Sequence, residues 1–403
     1  RAPKGARGSK GGETSMSRHL RVLRAIKQPE QCTAEWYEMR NNLFTASNAW
    51  KALFSEASAF SLLRDKVDAF LASDAGVPGD AEPPTTKRVR VFGACASEDS
   101  PLSWGKRYEP LSVMHYERTY STIVQEYGCL VHKKHKFLGA SPDGINYKAG
   151  SPIQGRMLEI KNVVSRVITG VPKEDYWIQM QLQMEVCDLD ECDFLETKFC
   201  EFSSYDEYAA EYSSYVASGQ RDAAELGIIA AFFEETIGAP PHAAVQPQQA
   251  RIHYEYAPLG LTLGEQDDWL ERVREATETE TQSTRRTWHR VIYWQLVVSS
   301  CVLVFRNRAW FAAAVAPLSA LWDRVLYFRE RPAEWEALKR ARESQSTRRR
   351  ARPESLVRGG DAETAREAGQ ETGKEAEAET RVCHLLLPSA KRRAQSSNET
   401  KRV

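Results

Sequence analysis

The spacing of hydrophobic positions changes several times along the chain, and each change predicts an element. Trp36, Tyr37, Met39, Leu43 and Phe44 recur at helical spacing, and Thr45-Ala46-Ser47 reads as the cap of a second helix through Trp50, Leu53 and Phe54. A helix is predicted from about Trp104 to Gln125. Short strands follow near 128–133 and 137–141, joined by the basic turn Lys133-Lys134-His135-Lys136. Met157 to Val163 reads as a third strand. After Gly170-Val171-Pro172 the spacing gives a helix from Asp175 to about Cys187, then a strand from Phe194 to Cys200. The order helix, three strands, helix, strand fits a mixed α/β (α+β) sandwich, its central sheet flanked by helices and its site at the sheet's centre.

The remaining stretches set the domain boundaries. Residues 1–27 are rich in Gly, Ser and Arg with little periodicity and are expected to be a disordered arm. The core is placed at 28–235, interrupted at 73–100 by a Gly/Pro-rich flexible insertion. A Tyr-rich helical piece (203–237), a Pro/Gln loop (238–251) and an apolar block (288–338) follow, and 252–338 reads as a mainly helical C-terminal extension. Within it, 262–300 looks less regular, with TETETQSTRR suggesting decay or a misjoined reading frame. The apolar run Val291 to Phe305 is broken by Gln295, Ser299 and Ser300 and is shorter than the ~20 residues of a spanning helix. It reads as a buried strand or strand pair, with no membrane anchor. From 340 to 403, Arg/Glu/Ala/Gly repeats lack the apolar residues to offset chain entropy, and disorder is expected.

Composition adds exclusions. Lys+Arg and Asp+Glu both total 55, so no global basic field exists and any nucleic-acid affinity must come from a local groove. Eight cysteines are scattered without a CxxC pair, which reads as reduced thiols in an intracellular protein. No secretory signal with an apolar h-region is visible, and nucleus, organelle and viral factory are not distinguished.

The chemistry concentrates between Phe137 and Lys161. GASPDGI ends in Asp143–Gly144, and the apolar-flanked triplet Glu159-Ile160-Lys161 follows. On a strand Glu159 and Lys161 emerge on one face, and a turn carrying Asp143 can complete a metal site beside a cation. A lone E-x-K is most often a solvated strand pair. Here Met157, Leu158, Ile160 and Val163 mark a buried strand, where two same-face charges are costly unless something binds them. Asp143 and Glu159 suit a magnesium ion, which takes few protein carboxylates, and the Ile160 carbonyl offers a third oxygen. Lys161 would orient or deprotonate a water or stabilise developing negative charge. Glu109, in WGKRYEP, lies on the predicted helix in reach of a second metal. In YWIQMQLQM, Tyr176, Gln179 and Gln183 share one quadrant of a helix, while Trp177, Met180 and Met184 lie on another face. Arg40 and Ser47 bracket a helix start suited to a phosphate.

Taken in order, EWYEMRNNLFTAS, GKRYEP, GASPDG, MLEIK and YWIQMQLQM resemble the YqaJ-type viral recombinase family, relatives of the phage lambda exonuclease in the PD-(D/E)XK restriction-endonuclease-like superfamily. The resemblance covers residues 31 to about 200. It implies an αβββαβ core and a DNA nuclease using Mg²⁺, with Mn²⁺ as a substitute. By position it implies Asp143 and Glu159 as metal ligands with Ile160, Lys161 as the catalytic lysine, and Glu109 as the helix carboxylate near the metals. Tyr176 and Gln179 match the helix motif beside the site. Arg40 and Ser47 match the residues that hold the 5′-terminal phosphate in lambda-like exonucleases, and Arg166 is read as a third phosphate ligand. EIKNVVSRVITGVPKEDYWIQMQLQMEVCDLDECDFLETKF and RNRAWFAAAVAPLSALWDRVLYFRE resemble versions carried by large DNA viruses of eukaryotes and their hosts. Some superfamily relatives carry an iron–sulfur cluster, but Cys187, Cys192 and Cys200 are irregularly spaced without an upstream partner, and none is expected.

The function expected is 5′ to 3′ hydrolysis of DNA from duplex ends, leaving 3′ single strands for recombination and repair. A single-strand annealing protein is the implied partner, and a homo-oligomeric ring the implied assembly. A structure-selective endonuclease of the same fold and a catalytically lapsed DNA-end-binding protein are the alternatives.

Overall fold

The computed structural model describes residues 14–29, 33–74, 100–218, 225–236, 251–277 and 284–350. The first element already departs from the sequence reading. Ser15–Ala25 is a helix (α1), started by the Thr14 hydroxyl, which accepts the Ser17 N–H at 3.0 Å. The disordered arm expected over 1–27 is therefore corrected for 15–25. Leu20 and Leu23, one face apart by three residues, are buried in the main core, which the polar composition around them concealed. Met16 lies against Gly155, whose positive φ of 86° suits glycine and whose missing Cβ leaves room for the thioether.

Helix α2 (Ala34–Asn41) leads into strand β1 (Phe44–Thr45), then α3 (Ala46–Ala49), α4 (Lys51–Phe54) and α5 (Glu56–Asp74). The flexible insertion expected at 73–100 falls at 75–99 outside the described residues. Helix α6 (Pro101–Tyr120) is capped by Ser100, with proline in its first turn, and stops at Ser121, which takes a left-handed φ of 48°. It is thus shorter than the expected run to Gln125. Strands β2 (Val124–Gln125), β3 (Leu130–Val131), β4 (Leu138–Ala140), β5 (Gly144–Asn146) and β6 (Met157–Asn162) precede α7 (Glu174–Cys187) and β7 (Glu191–Glu201).

These strands form two sheets. The larger has the order β2-β5-β6-β7 at its core, with β6 and β7 parallel and the other core pairs antiparallel. With α6 and α7 it makes the αβββαβ arrangement. The strands read at 128–133 and 137–141 are real, but as β3 and β4 they pair in a separate three-stranded sheet, in which β4 runs parallel to β1. Their places in the core sheet are taken by β2 and β5, which are two and three residues long and too short to show a period.

The C-terminal part joins the same sheet. Helix α8 (Tyr205–Ser218) and strand β8 (Leu226–Thr236) divide the Tyr-rich piece expected to be helical throughout, and β9 (Arg251–Tyr256) and α9 (Leu263–Thr277) follow. Strand β10 (Thr284–Phe305) is 22 residues long, pairing with β8 along its first half and β7 along its second. The expected irregularity of 262–300 is corrected accordingly, apart from 278–283, which lie outside the described residues. Helices α10 (Arg308–Arg329) and α11 (Pro332–Arg350) are the last elements among the described residues. Disorder from 340 is corrected as far as 350, where α11 ends; the start of that helix is seated by Trp335, which is buried, and Trp335 and Lys339 both donate to Asp68 of α5, at 2.6 and 3.0 Å. Residues 351–403 lie outside the described residues.

The main core lies where α5, α7 and α10 meet, with Leu62, Leu63, Val67, Ile178, Met180, Leu318, Leu321 and Val325 buried together. By length and composition, α10 is the one helix among the described residues able to cross a bilayer. Its Leu318, Leu321 and Val325 stripe is buried in this core instead.

Candidate active site

Strand β6 alternates between two environments. Leu158 and Ile160 pack with Tyr116 of α6 and Leu195 of β7, while Met157 joins the main core with the apolar residues of α7. Glu159 and Lys161 share the parity of Met157 and face α7. Glu159 is fully buried yet fully partnered. Its Oε1 accepts Gln179 Nε2 at 2.8 Å and also the Lys161 ammonium, and its Oε2 accepts Gln183 Nε2 at 2.8 Å. The glutamine quadrant of α7 thus exists to hold a buried carboxylate. Tyr176, one turn earlier, lies under Lys161, whose Nζ is 5.0 Å from the ring centroid.

Asp143 reaches the same strand by a different route. The β5–β6 ladder pairs Gly144 with Leu158, which would set Pro142 opposite Ile160. A proline offers no N–H and the ladder stops there. The missing donor leaves the Ile160 carbonyl without a ladder partner on this edge, and the Ile160 N–H is taken not by the ladder but by Asp143 Oδ2 at 2.7 Å, which locks the carboxylate beside Glu159. Burial, then the Glu159 and Glu109 charges, hold the Asp143 carboxyl well above its usual range, against Lys161 and the Ile160 N–H. Glu109, from α6, is also raised, by burial first and then by Glu126 and Glu159. Lys161 stays protonated: burial opposes its charge, but Glu159 and Asp143 outweigh it and raise its pKa.

A cavity of about 660 Å³ opens over this cluster and is lined by Glu109, Asp143, Ile160, Lys161, Tyr176, Gln179 and Gln183. Arg40, Ser47 and Arg166 line it too; Glu159 is fully buried and does not line it, but bonds to Lys161, Gln179 and Gln183, which do. Arg40, at the C-terminal end of α2, lies over Trp36 at 4.3 Å and donates to Ser47 Oγ and Ser141 Oγ, both at 3.4 Å. Ser141 was missed in the sequence, and its place two residues before Asp143 was the available signal. Arg166 differs from the other two: it pairs with the buried Glu196 of β7 and lies over Tyr176, so its charge is already opposed by a carboxylate. Asn162 was also missed. Its Nδ2 donates to the Gly105 carbonyl at 2.7 Å and its Oδ1 accepts from Ser112 and Thr197, each at 2.7 Å, which ties the end of β6 to α6.

The donor set suits a hard divalent cation. Magnesium takes oxygen ligands, one or two from protein carboxylates and the rest from phosphate and water. Asp143 and Glu159 are such carboxylates, and their mutual repulsion with Glu109 is what a cation relieves. Gln183 Oε1 is buried without a partner among the described residues, on the same amide whose Nε2 donates to Glu159. No group of three or more His, Cys, Asp or Glu side chains among the described residues is gathered closely enough to ligate a metal alone. The fit therefore rests on two carboxylates, a backbone carbonyl and the substrate's own oxygens.

Comparison with known proteins bears on this cavity. Residues 35–190 match the YqaJ-like viral recombinase domain. An uncharacterized protein of Acanthamoeba polyphaga mimivirus is 28% identical over 331 residues, which cover 77% of this chain. The match spans 55% of that relative's length. Among solved structures, an alkaline exonuclease from Laribacter hongkongensis is 18% identical over 78% of this chain and all of its own, with a TM-score of 0.38. A phage-related exonuclease from Haemophilus somnus is 12% identical over 71% of this chain and 96% of its own, with a TM-score of 0.32.

Proposed function

We propose that the chain, whose residues 35–190 match the YqaJ-like viral recombinase domain, is a divalent-metal-dependent DNA exonuclease that degrades duplex ends 5′ to 3′ and leaves 3′ single strands for recombination. The observation that carries this reading is a juxtaposition. The Asp143–Glu159–Lys161 cluster and the Arg40–Ser47–Ser141 group border the same cavity. One can hold a scissile phosphodiester and the other a terminal phosphate.

Asp143, Glu159 and the Ile160 carbonyl would hold the ion, Mg²⁺ with Mn²⁺ as a substitute, and Glu109 would hold its outer waters. When bound, the ion supplies Lewis-acid neutralisation of the phosphate charge. Lys161, fixed as the ammonium by Glu159, sits where it can stabilise negative charge developing on the scissile phosphate. Gln179 and Gln183 orient Glu159 by donating to its two oxygens. Arg40, with Ser47 and Ser141, offers a guanidinium and two hydroxyls to a 5′-phosphate, which sets the scissile bond one nucleotide inward. Arg166 serves as a further phosphate contact when the strand displaces it from Glu196. A single-strand annealing protein is the expected partner, and a homo-oligomeric ring around duplex the expected assembly.

Digestion of a linear duplex labelled at each end, beside a nicked and a closed circle, with Mg²⁺ and with EDTA, tests the reading. Ordered loss from 5′-phosphorylated ends with the closed circle untouched supports it. Cutting of the closed circle would make the chain an endonuclease, and end binding without metal-dependent products would make it a lapsed recombination scaffold.

A further inference from the structure

We propose that Arg329, on α10, is a positioning residue for Arg40 and so sets the preference for phosphorylated ends; the proposal rests on the reading of Arg40 as a terminal-phosphate ligand. Helix α2 is only eight residues long, and its Glu38, Met39 and Arg40 carbonyls accept only long N–H bonds, of 3.1 to 3.3 Å, from Asn42 and Leu43 at its end. Two cations from outside reinforce this terminus. Arg329 Nη2 donates to the Asn41 carbonyl at 2.8 Å and the Lys66 carbonyl at 3.1 Å, and its Nη1 donates to Asn42 Oδ1 at 2.9 Å. Lys66, from α5, donates to the carbonyl of Arg40 itself at 2.6 Å. A cation at a helix C-terminus is also favoured by the helix dipole.

The guanidinium plane is fixed as well. It lies over Phe70 of α5 at 4.5 Å and over Trp322 of α10 at 5.4 Å. Trp322 in turn packs on Phe44 of β1 at 5.0 Å and on Phe137, just before β4, at 6.2 Å. Strand β1 leads directly into α3, which carries Ser47, and Ser141 directly follows β4. One arginine and one tryptophan of α10 therefore brace all three pieces of backbone that carry the phosphate group's ligands.

This bracing matters because the Arg40 contacts to Ser47 and Ser141 are both 3.4 Å, at the long end for hydrogen bonds. A shift of the α2 terminus by about 1 Å would break them, and misplacement on that scale costs up to ~10²-fold in rate. The docking of α10 does not depend on Arg329, since Leu318, Leu321 and Val325 are buried in the core independently. Losing the fork should therefore loosen α2 and leave the helix seated.

The test compares initial rates on linear duplexes that differ only in bearing a 5′-phosphate or a 5′-hydroxyl, for the wild-type chain, Arg329→Ala, Arg329→Lys and Arg40→Ala. In Arg329→Ala, KM for the phosphorylated duplex should rise about tenfold or more with kcat little changed. The hydroxyl duplex should be unaffected, so the preference ratio falls toward that of Arg40→Ala. Arg329→Lys keeps the charge without the fork, should fall between, and reads the same ratio if the alanine variant does not fold. A preserved ratio in both variants, or an equal loss on both substrates, would overturn the positioning role while leaving Arg40's assignment intact. A wild-type chain without phosphate preference, or Arg40→Ala without effect on it, would overturn the phosphate-ligand reading and the proposal with it.

Discussion

The carboxylate of Asp143 accepts the backbone N–H of Ile160 at 2.7 Å, so a candidate metal ligand also closes a gap in the sheet left by Pro142. The two roles separate by substitution. Asp143→Asn keeps an acceptor oxygen for Ile160 and removes the charge, so the fold and DNA binding should survive while metal-dependent cleavage falls by at least about 10²-fold. Asp143→Ala also leaves the Ile160 N–H unpaired, a further loss of about 1–3 kcal/mol of stability. Thermal melting alongside cleavage assays distinguishes them, and equal melting temperatures for the two variants would refute the structural half.

The raised acidity thresholds of Asp143 and Glu109 predict how stability and metal binding vary with pH. A carboxyl whose folded pKa lies above its unfolded value makes the folded state hold the extra proton between the two. Stability then declines as pH rises through that window, because charging the buried cluster is disfavoured. In EDTA the melting temperature of the wild-type chain should fall from about pH 4 upward more steeply than that of Asp143→Asn. Adding Mg²⁺ at neutral pH should raise it in a concentration-dependent way in the wild type alone. Protons compete with the metal, so the Mg²⁺ concentration needed for cleavage should increase as pH falls through the window. A flat response to Mg²⁺ would remove the cation from the site.

Much of this site is legible in the sequence because its chemistry is local. Glu159 and Lys161 are two apart on one strand, and Tyr176, Gln179 and Gln183 fall within one quadrant of one helix; a regular period fixes such relations. Asp143 was legible from its turn, but its bond to Ile160 was not, since it depends on where the β5 ladder ends. The sheet assignment failed for a related reason: β2 and β5 are too short to show alternation, while the stronger pattern of β3 and β4 belongs to the other sheet. Ser141, Glu196 and Arg329 enter through tertiary contacts spanning up to hundreds of residues, which no period encodes.

The first helix carries a prediction of its own, because the polar pattern of residues 15–25 hides two core positions. Leu20 and Leu23 are buried in the same core as Ile178 and Met184 of α7, and the His19 ring meets the Cys187 carbonyl at 2.8 Å at the end of that helix. Leu20→Ala should cost about 2–5 kcal/mol by lost burial and the cavity left behind. Chemical denaturation measures it, and a loss below about 0.5 kcal/mol, the range of a neutral surface change, would detach α1 from the core.

Lys66 makes the last prediction, since it is nearly buried and yet donates to the Arg40 carbonyl. Burial, then the neighbouring Arg40 and Arg329 charges, lower its pKa from 10.5 to about 7, with Asp65 and Cys129 pulling the other way. In the unfolded chain it titrates at the ordinary value. Between these two values the unfolded chain holds more protons than the folded one, so stability rises with pH across the window, by at most about 1.4 kcal/mol per unit. Below about 7 both states are protonated and the cost of the buried charge is complete. Lys66→Met removes the titration but also a donor to Arg40, a loss that is constant with pH, so the readout is the slope. Denaturation midpoints between pH 7 and 9.5 should climb more steeply for the wild type than for Lys66→Met. Parallel curves would mean that Lys66 stays charged throughout, compensated by Asp65, and that the α2 terminus is braced by two full cations at every pH tested.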